Sequence, residues 1–204
     1  MLRERNEKKM RVIVAAAGTA GHINPGLAIA NKIKKEEPNS EIIFIGTTRG
    51  LENDLVPRAG YGLKTIEAYG LSKQISIANF KKIWATLMAT GKARRIIKEF
   101  KPDIIVGAGG YICGPVVWAA SKEKIPVILH ESNAFPGKAV KMLASKAETV
   151  LISFEEARLR IPNAKKIVCT GTPVKIAKKE YSQEEKTKIL TSIGVNENKP
   201  IVLV

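Results

Sequence analysis

Cysteine, histidine, aromatic residues and acids are all scarce in this chain. Its 204 residues contain two cysteines, Cys113 and Cys169, with neither close metal-ligand spacing nor a disulfide framework around them, which suits a reducing cytoplasm. Both read as small buried residues. No stretch approaches the roughly 18 consecutive apolar residues that a membrane-spanning helix needs. Residues 1–9 are charged and carry no apolar signal core, so they read as a disordered extension, or an alternative start, before Met10, with no export implied. Aromatics are only 5% of the chain and no nucleic-acid-binding motif is recognisable, which disfavours a nucleic-acid partner despite the charge.

Acids are outnumbered: 34 Lys and Arg face 19 Asp and Glu, a formal net charge of +15. Such an excess implies an anionic partner, whether nucleic acid, anionic lipid or phosphate. The excess is concentrated. Between Leu71 and Lys101 stand Lys73, Lys81, Lys82, Lys92, Arg94, Arg95, Lys98 and Lys101 against the single acid Glu99.

Apolar residues make up 45% of the chain, so it is globular, with one well-cored domain and the beginning of a second. Residues 10–17 form a β-branched apolar run that reads as a buried parallel strand entering a glycine turn. A helix follows with Pro25 near its start and ends at about Glu37, before Pro38 and Asn39. The pattern repeats, with strands at 41–46, 63–69, 103–107, 126–131, 149–153 and 166–170. Helices fall at 49–58, 80–100, 114–122 and 136–145. This alternation predicts an α/β, Rossmann-like doubly wound sheet of about seven parallel strands with helices on both faces. That domain spans 10–173. After Gly171, Thr172 and Pro173 the chain turns polar, with a helix at 182–192 and a buried strand at 199–204. A lone strand has no sheet to join, so 174–204 reads as a linker and the truncated start of a second domain.

Two glycine turns carry the chemistry. The first is Gly18, Thr19, Ala20, Gly21, His22, Ile23, Asn24, Pro25. Its glycines let backbone N–H groups approach a phosphate, and the helix start adds favourable partial charge. It fits neither G-x-G-x-x-G nor the lysine-bearing Walker A loop, and on spacing alone it is weak evidence, with a plain structural turn as the lesser alternative. The second, Gly107 to Pro115 through Ala108, Gly109, Gly110, Tyr111, Ile112, Cys113 and Gly114, also follows a buried strand and opens a helix. In a doubly wound sheet both turns emerge at the carboxyl edge of the strands, where ligands bind. His130, Glu131, Ser132 and Asn133 end another strand at that edge, where their polar groups would line the cleft.

A glycine loop with His-x-x-Pro, then Gly-Gly-Tyr-x-x-Gly-Pro, then His-Glu-x-Asn, in that order across residues 10–174, resembles the MurG family of undecaprenyl-diphospho-muramoylpentapeptide N-acetylglucosaminyltransferases. The resemblance implies the N-terminal domain of a GT-B fold, which holds the lipid acceptor while a C-terminal domain grips most of the donor. It implies inverting, metal-independent transfer of N-acetylglucosamine from UDP-GlcNAc to the muramoyl 4-hydroxyl of a lipid-diphosphate-linked MurNAc-pentapeptide, a step of peptidoglycan synthesis, with no cofactor. Thr19, Ala20, Gly21, Asn133 and Lys175 would contact the donor. Lys175 stands where the family usually has arginine and lacks the bidentate fork; Ala20 stands where glycine is common. Gly18, Gly21, Gly107, Gly109, Gly110 and Tyr111 would cradle the acceptor diphosphate. The general base needs a pKa near the working pH. His22 fits by type and position, either as that base or as a hydrogen-bonding loop residue, and Glu131 is its rival or an orienting partner.

Phe80, Ile83, Trp84, Leu87 and Met88 recur at helical spacing and line one stripe. The stripe reads as core or, with Ile75, Ile77, Lys73, Lys81 and Lys82 beside it, as an interfacial face for an anionic membrane surface. Trp118 either joins that face or is buried. The family's polyprenyl substrate favours a peripheral position on the cytoplasmic face of the cell membrane. Two other readings stay open: a different GT-B glycolipid transferase, and an acceptor- and membrane-binding module that is inactive without a donor half.

Overall fold

The computed structural model describes residues 9–68, 77–174 and 180–195, with the side chains of 77–84 and 87 outside the description. Seven parallel strands form one sheet in the order β3-β2-β1-β4-β5-β6-β7. They are β1 Arg11–Ala16, β2 Glu41–Gly46, β3 Gly62–Thr65, β4 Ile104–Gly109, β5 Val127–Glu131, β6 Thr149–Ile152 and β7 Ile167–Cys169. Between them run α1 Ala20–Glu36, α2 Glu52–Arg58, α3 Ile77–Phe100, α4 Cys113–Lys122 and α5 Lys138–Leu143, and α6 Gln183–Ser192 follows β7.

The sequence of β1 explains its central place. Val12 to Ala17 are all fully buried, and strand alternation sends them to opposite faces. Val12, Val14 and Ala16 join Ile23, Leu27 and Ala30 of α1 and Val56 of α2 in one core. Ile13, Ala15 and Ala17 join Ala89, Ala93 and Ile97 of α3 and Val116, Val117 and Ala120 of α4 in the other. Burying each large aliphatic side chain contributes roughly 1.5–3 kcal/mol, so a wholly apolar strand is stable only where helices cover both faces. The doubly wound sheet is therefore as expected.

Several boundaries differ from the sequence reading. α1 begins at Ala20, so Pro25 lies inside the helix rather than near its start. His22 and Ile23 already donate to the Thr19 carbonyl at 3.0 and 3.2 Å, which starts the helix as soon as the glycine turn is complete. α2 starts at Glu52, not at Arg49. β3 stops at Thr65, being an edge strand paired on one side only. A 3-10 helix, Glu155–Arg160, lies between β6 and β7, where the sequence reading assigned no element. Lys9, grouped above with the N-terminal extension, pairs with Glu41 at 2.8 Å. The strand expected at 199–204 lies outside the described residues.

Candidate functional site

The strand order reverses between β1 and β4: the chain winds outward from β1 through β2 and β3, and outward the other way from β4 to β7. In open α/β sheets the crevice at such a switch point is where ligands sit. Both glycine turns leave the sheet there, one from β1 and one from β4. They touch. A Cβ added to Gly110, whose φ is +83°, would lie 2.5 Å from the Ala17 carbonyl oxygen, and one added to Gly109 (φ +130°) would collide with the His22 ring. Glycine is required at both positions, by conformation and by close approach.

His22 stands in the first turn of α1, half-buried, between the two loops. Its Nδ1 lies 3.2 Å from the Ala17 carbonyl oxygen and 3.4 Å from Thr19 Oγ1. A carbonyl can only accept, so the Ala17 contact places the proton on Nδ1 and leaves Nε2 of the neutral ring with a free lone pair. The geometry thus yields a backbone-oriented imidazole with one nitrogen available to take a proton.

The amides come next. Thr19 caps α1 in extended conformation without a side-chain cap bond, and the first turn carries no acid. The N–H groups of Ala20 and Gly21 precede the helix's own bonding and sit at its positive end. In the second turn Cys113 and Gly114 donate back to Gly110 and Tyr111 at 3.3 Å each, so the amides of Tyr111 and Ile112 hold the same position at the start of α4. Two of the expected diphosphate contacts are corrected. Gly107 is buried inside β4, opposite Ala15 and Leu129; a Cβ there would meet Leu129 at 2.7 Å, so this glycine serves packing. The Gly18 N–H is occupied by Glu52 Oε2 at 3.0 Å and cannot also serve a ligand.

The β5 edge also differs from the expectation. His130 is 1% and Glu131 4% exposed, so neither lines the cleft. Glu131 Oε1 accepts from the Asn133 backbone and side-chain amides at 2.9 and 2.8 Å, and its Oε2 accepts from Gly137 N–H at 2.7 Å. These bonds make it the organiser of the loop that presents the exposed Asn133. His130 Nε2 is 3.4 Å from Ser153 Oγ; burial pushes its pKa down, against the Glu131 charge and a Gly171 backbone bond. Tyr111 and Trp118 are exposed. Trp118 therefore is not core, and the Lys146 ammonium sits 4.2 Å from its ring centroid. Cys113 is buried and its thiol is pushed up to about 12 by desolvation. Cys169, by contrast, is exposed, because β7 is the sheet's other edge. Lys175 and Ile75 lie outside the described residues, as do the side chains of Phe80, Lys81, Lys82, Ile83, Trp84 and Leu87. Among the described residues no group of three or more His, Cys, Asp or Glu side chains is placed to hold a metal ion.

Sequence reasoning missed Glu52. Fully buried, it accepts from Gly18 N–H, from Thr47 N–H at 2.8 Å and from Thr47 Oγ1 at 2.7 Å. Burial works against its ionisation, and the Thr47 and Gly18 hydrogen bonds outweigh it, holding the carboxyl below the usual range. An acid opening a helix is ordinary by sequence, so nothing in the sequence distinguished it.

A parallel Rossmann-like sheet whose two glycine turns abut beside an oriented histidine at the switch point defines the class of this domain. The particular family follows from comparison: the profile of the glycosyltransferase family 28 N-terminal domain matches residues 12–152, and the chain belongs to that family. A protein of Acetivibrio thermocellus is 45% identical over 195 residues, covering 96% of this chain and 52% of its own. One of Clostridioides difficile is 42% identical, covering 95% and 47%. Each is named UDP-N-acetylglucosamine--N-acetylmuramyl-(pentapeptide) pyrophosphoryl-undecaprenol N-acetylglucosamine transferase. The chain spans about half the length of these relatives. Among solved structures, MurG of Acinetobacter baumannii matches with TM-score 0.66 and 30% identity over 80% of this chain and 45% of that one. A UDP-GlcNAc 2-epimerase of Neisseria meningitidis, at TM-score 0.55 and 16% identity over 93% of this chain and 55% of that one, shares the fold.

Proposed function

We propose that this chain is the acceptor-binding half of a transferase that moves N-acetylglucosamine from UDP-GlcNAc to the 4-hydroxyl of a lipid-diphosphate-linked MurNAc-pentapeptide, with inversion and without a metal. The observation that carries the reading is the junction of the two glycine turns, with the Nε2 lone pair of His22 free beside them. Amides of Ala20, Gly21, Tyr111 and Ile112 at two helix starts suit the paired phosphates of the acceptor. The acceptor oxygen attacks the anomeric carbon as the bond to UDP breaks, and its proton passes to His22 Nε2. Glu131 acts through Asn133, which approaches the donor with Thr19, Ala20, Gly21 and Lys175.

The acceptor's lipid requires the domain to work at a membrane surface. No helix among the described residues is long and apolar enough to cross one. Exposed Trp118 under Lys146, with Met142 65% exposed on α5, supports peripheral docking on an anionic leaflet.

The test is transfer of radiolabelled sugar from UDP-GlcNAc to the lipid-linked acceptor by full-length protein. His22→Ala is expected to lower kcat by about 10²–10⁴-fold if His22 is the base. Native protein that leaves the acceptor unmodified, or that turns over UDP-GlcNAc without acceptor, overturns the reading.

A further inference from the structure

We propose that Glu52 is the positioning residue of the first glycine turn, clamping the Gly18 peptide so that the α1 amides meet the acceptor diphosphate in one fixed geometry. The inference deepens the function proposed above and rests on it for its substrate. Gly18 has φ +95°, a conformation only glycine adopts without strain, and free glycine would not hold it. Here both polar groups of Gly18 are gripped by consecutive residues: its N–H donates to Glu52 Oε2 at 3.0 Å, and its carbonyl accepts from Leu51 N–H at 3.4 Å. The other oxygen of Glu52 takes the Thr47 N–H and hydroxyl. One buried carboxylate thus ties the turn after β1 to the end of β2. The space is made for it: a Cβ at Gly46 would come 2.6 Å from Glu52 Cγ, and one at Gly50 would overlap the carboxylate.

A negative charge beneath an anion-binding turn is electrostatically adverse to the ligand, so its place there calls for a geometric reason. Three donors converge on it from two loops, and only an acceptor-only group with two oxygens satisfies them all. A glutamine of the same shape cannot, since its NH2 must face either Gly18 N–H or the Thr47 donors.

Full-length Glu52→Gln is therefore expected to speed amide exchange in the peptide spanning residues 13–23. It should raise KM for the lipid-linked acceptor about tenfold, with kcat held within about threefold, since the turn's amides bind the acceptor whereas His22 is held by the Ala17 carbonyl. Thr47→Val removes one of the three bonds, keeps the charge, and gives a smaller shift of the same kind; it also serves should Glu52→Gln fail to fold. Phe44→Leu, which loosens the core of β2 without touching the clamp, loses stability but keeps the native KM. The proposal is overturned if exchange at Gly18 is unchanged in Glu52→Gln, or if Phe44→Leu at equal stability shows the same KM shift. Should native protein transfer no sugar, the functional reading falls, and the exchange comparison alone decides whether Glu52 clamps the turn.

Discussion

At the scale of single residues, backbone carbonyls set the site as much as side chains do. The Ala17 carbonyl both fixes the His22 tautomer and limits what can stand at Gly110. Gly110→Ala adds a methyl 2.5 Å from that oxygen at a φ that disfavours any other residue. The expected cost is about 1–3 kcal/mol in denaturant unfolding, with the two turns pushed apart and acceptor binding weakened more than stability alone accounts for. His130 gives a pH signature of a different kind. Burial lowers its pKa in the folded protein, whereas the unfolded chain takes up a proton near 6.5. Its contribution is therefore complete above about pH 6.5 and is lost as pH falls from there toward the folded value. The thermal midpoint should drop between pH 7.5 and 5.5, and His130→Gln, which cannot take up the proton, should make that drop shallower. An equal slope in both proteins would remove His130 from the account.

At the scale of elements, α6 behaves unlike the others. Ser182 and Glu185 form a reciprocal capping box at its start, yet none of its residues is buried. A helix without tertiary cover depends on its caps, so Ser182→Ala should cost about 1 kcal/mol locally. Faster amide exchange across 183–192 with an unchanged global melting temperature is the expected result; a lowered global transition would mean that α6 packs on the domain. The strands were readable from sequence because a central parallel strand is apolar along its buried length, as β1 is after Arg11 and β2 after Glu41. The ends were not. α1 starts where the Thr19 carbonyl finds donors, not where Pro25 favours a first turn, and that depends on the glycine turn's shape. Gly107 looked like its neighbours Gly109 and Gly110, and only the register of β4 against β1 and β5 buries it. Cys169 read as core because the strand order, which puts β7 at the edge, is not written in any one segment. Glu52 looked like an ordinary first-turn acid, and its true partners are 34 residues away at Gly18 and at Thr47 on the neighbouring loop.

At the scale of the whole molecule, the net charge of +15 survives extensive local pairing. Arg94 and Lys98 both approach Glu123, Arg95 pairs with Glu99 and Lys165 with Glu148, and such exposed pairs contribute little to stability. The remaining excess acts as a field, attracting anionic surfaces over about a Debye length, roughly 8–10 Å at physiological salt. Trp118 supplies the apolar counterpart: 48% exposed, with the Lys146 ammonium over its ring, it presents an aromatic face beside a positive charge, as interfacial residues do. Each cation near an anionic leaflet is worth about 1 kcal/mol, so Lys146→Ala should weaken binding to anionic vesicles about fivefold. Trp118→Ala should weaken it further, because it also removes buried apolar area. Raising the salt should reduce binding of the native protein steeply and leave Trp118's share intact, since apolar insertion is not screened. Co-sedimentation with vesicles of graded anionic lipid content separates the two contributions. Equal binding to neutral and anionic vesicles would mean that the charge serves something other than the membrane, and an unchanged Trp118→Ala would place the docking face elsewhere on the domain.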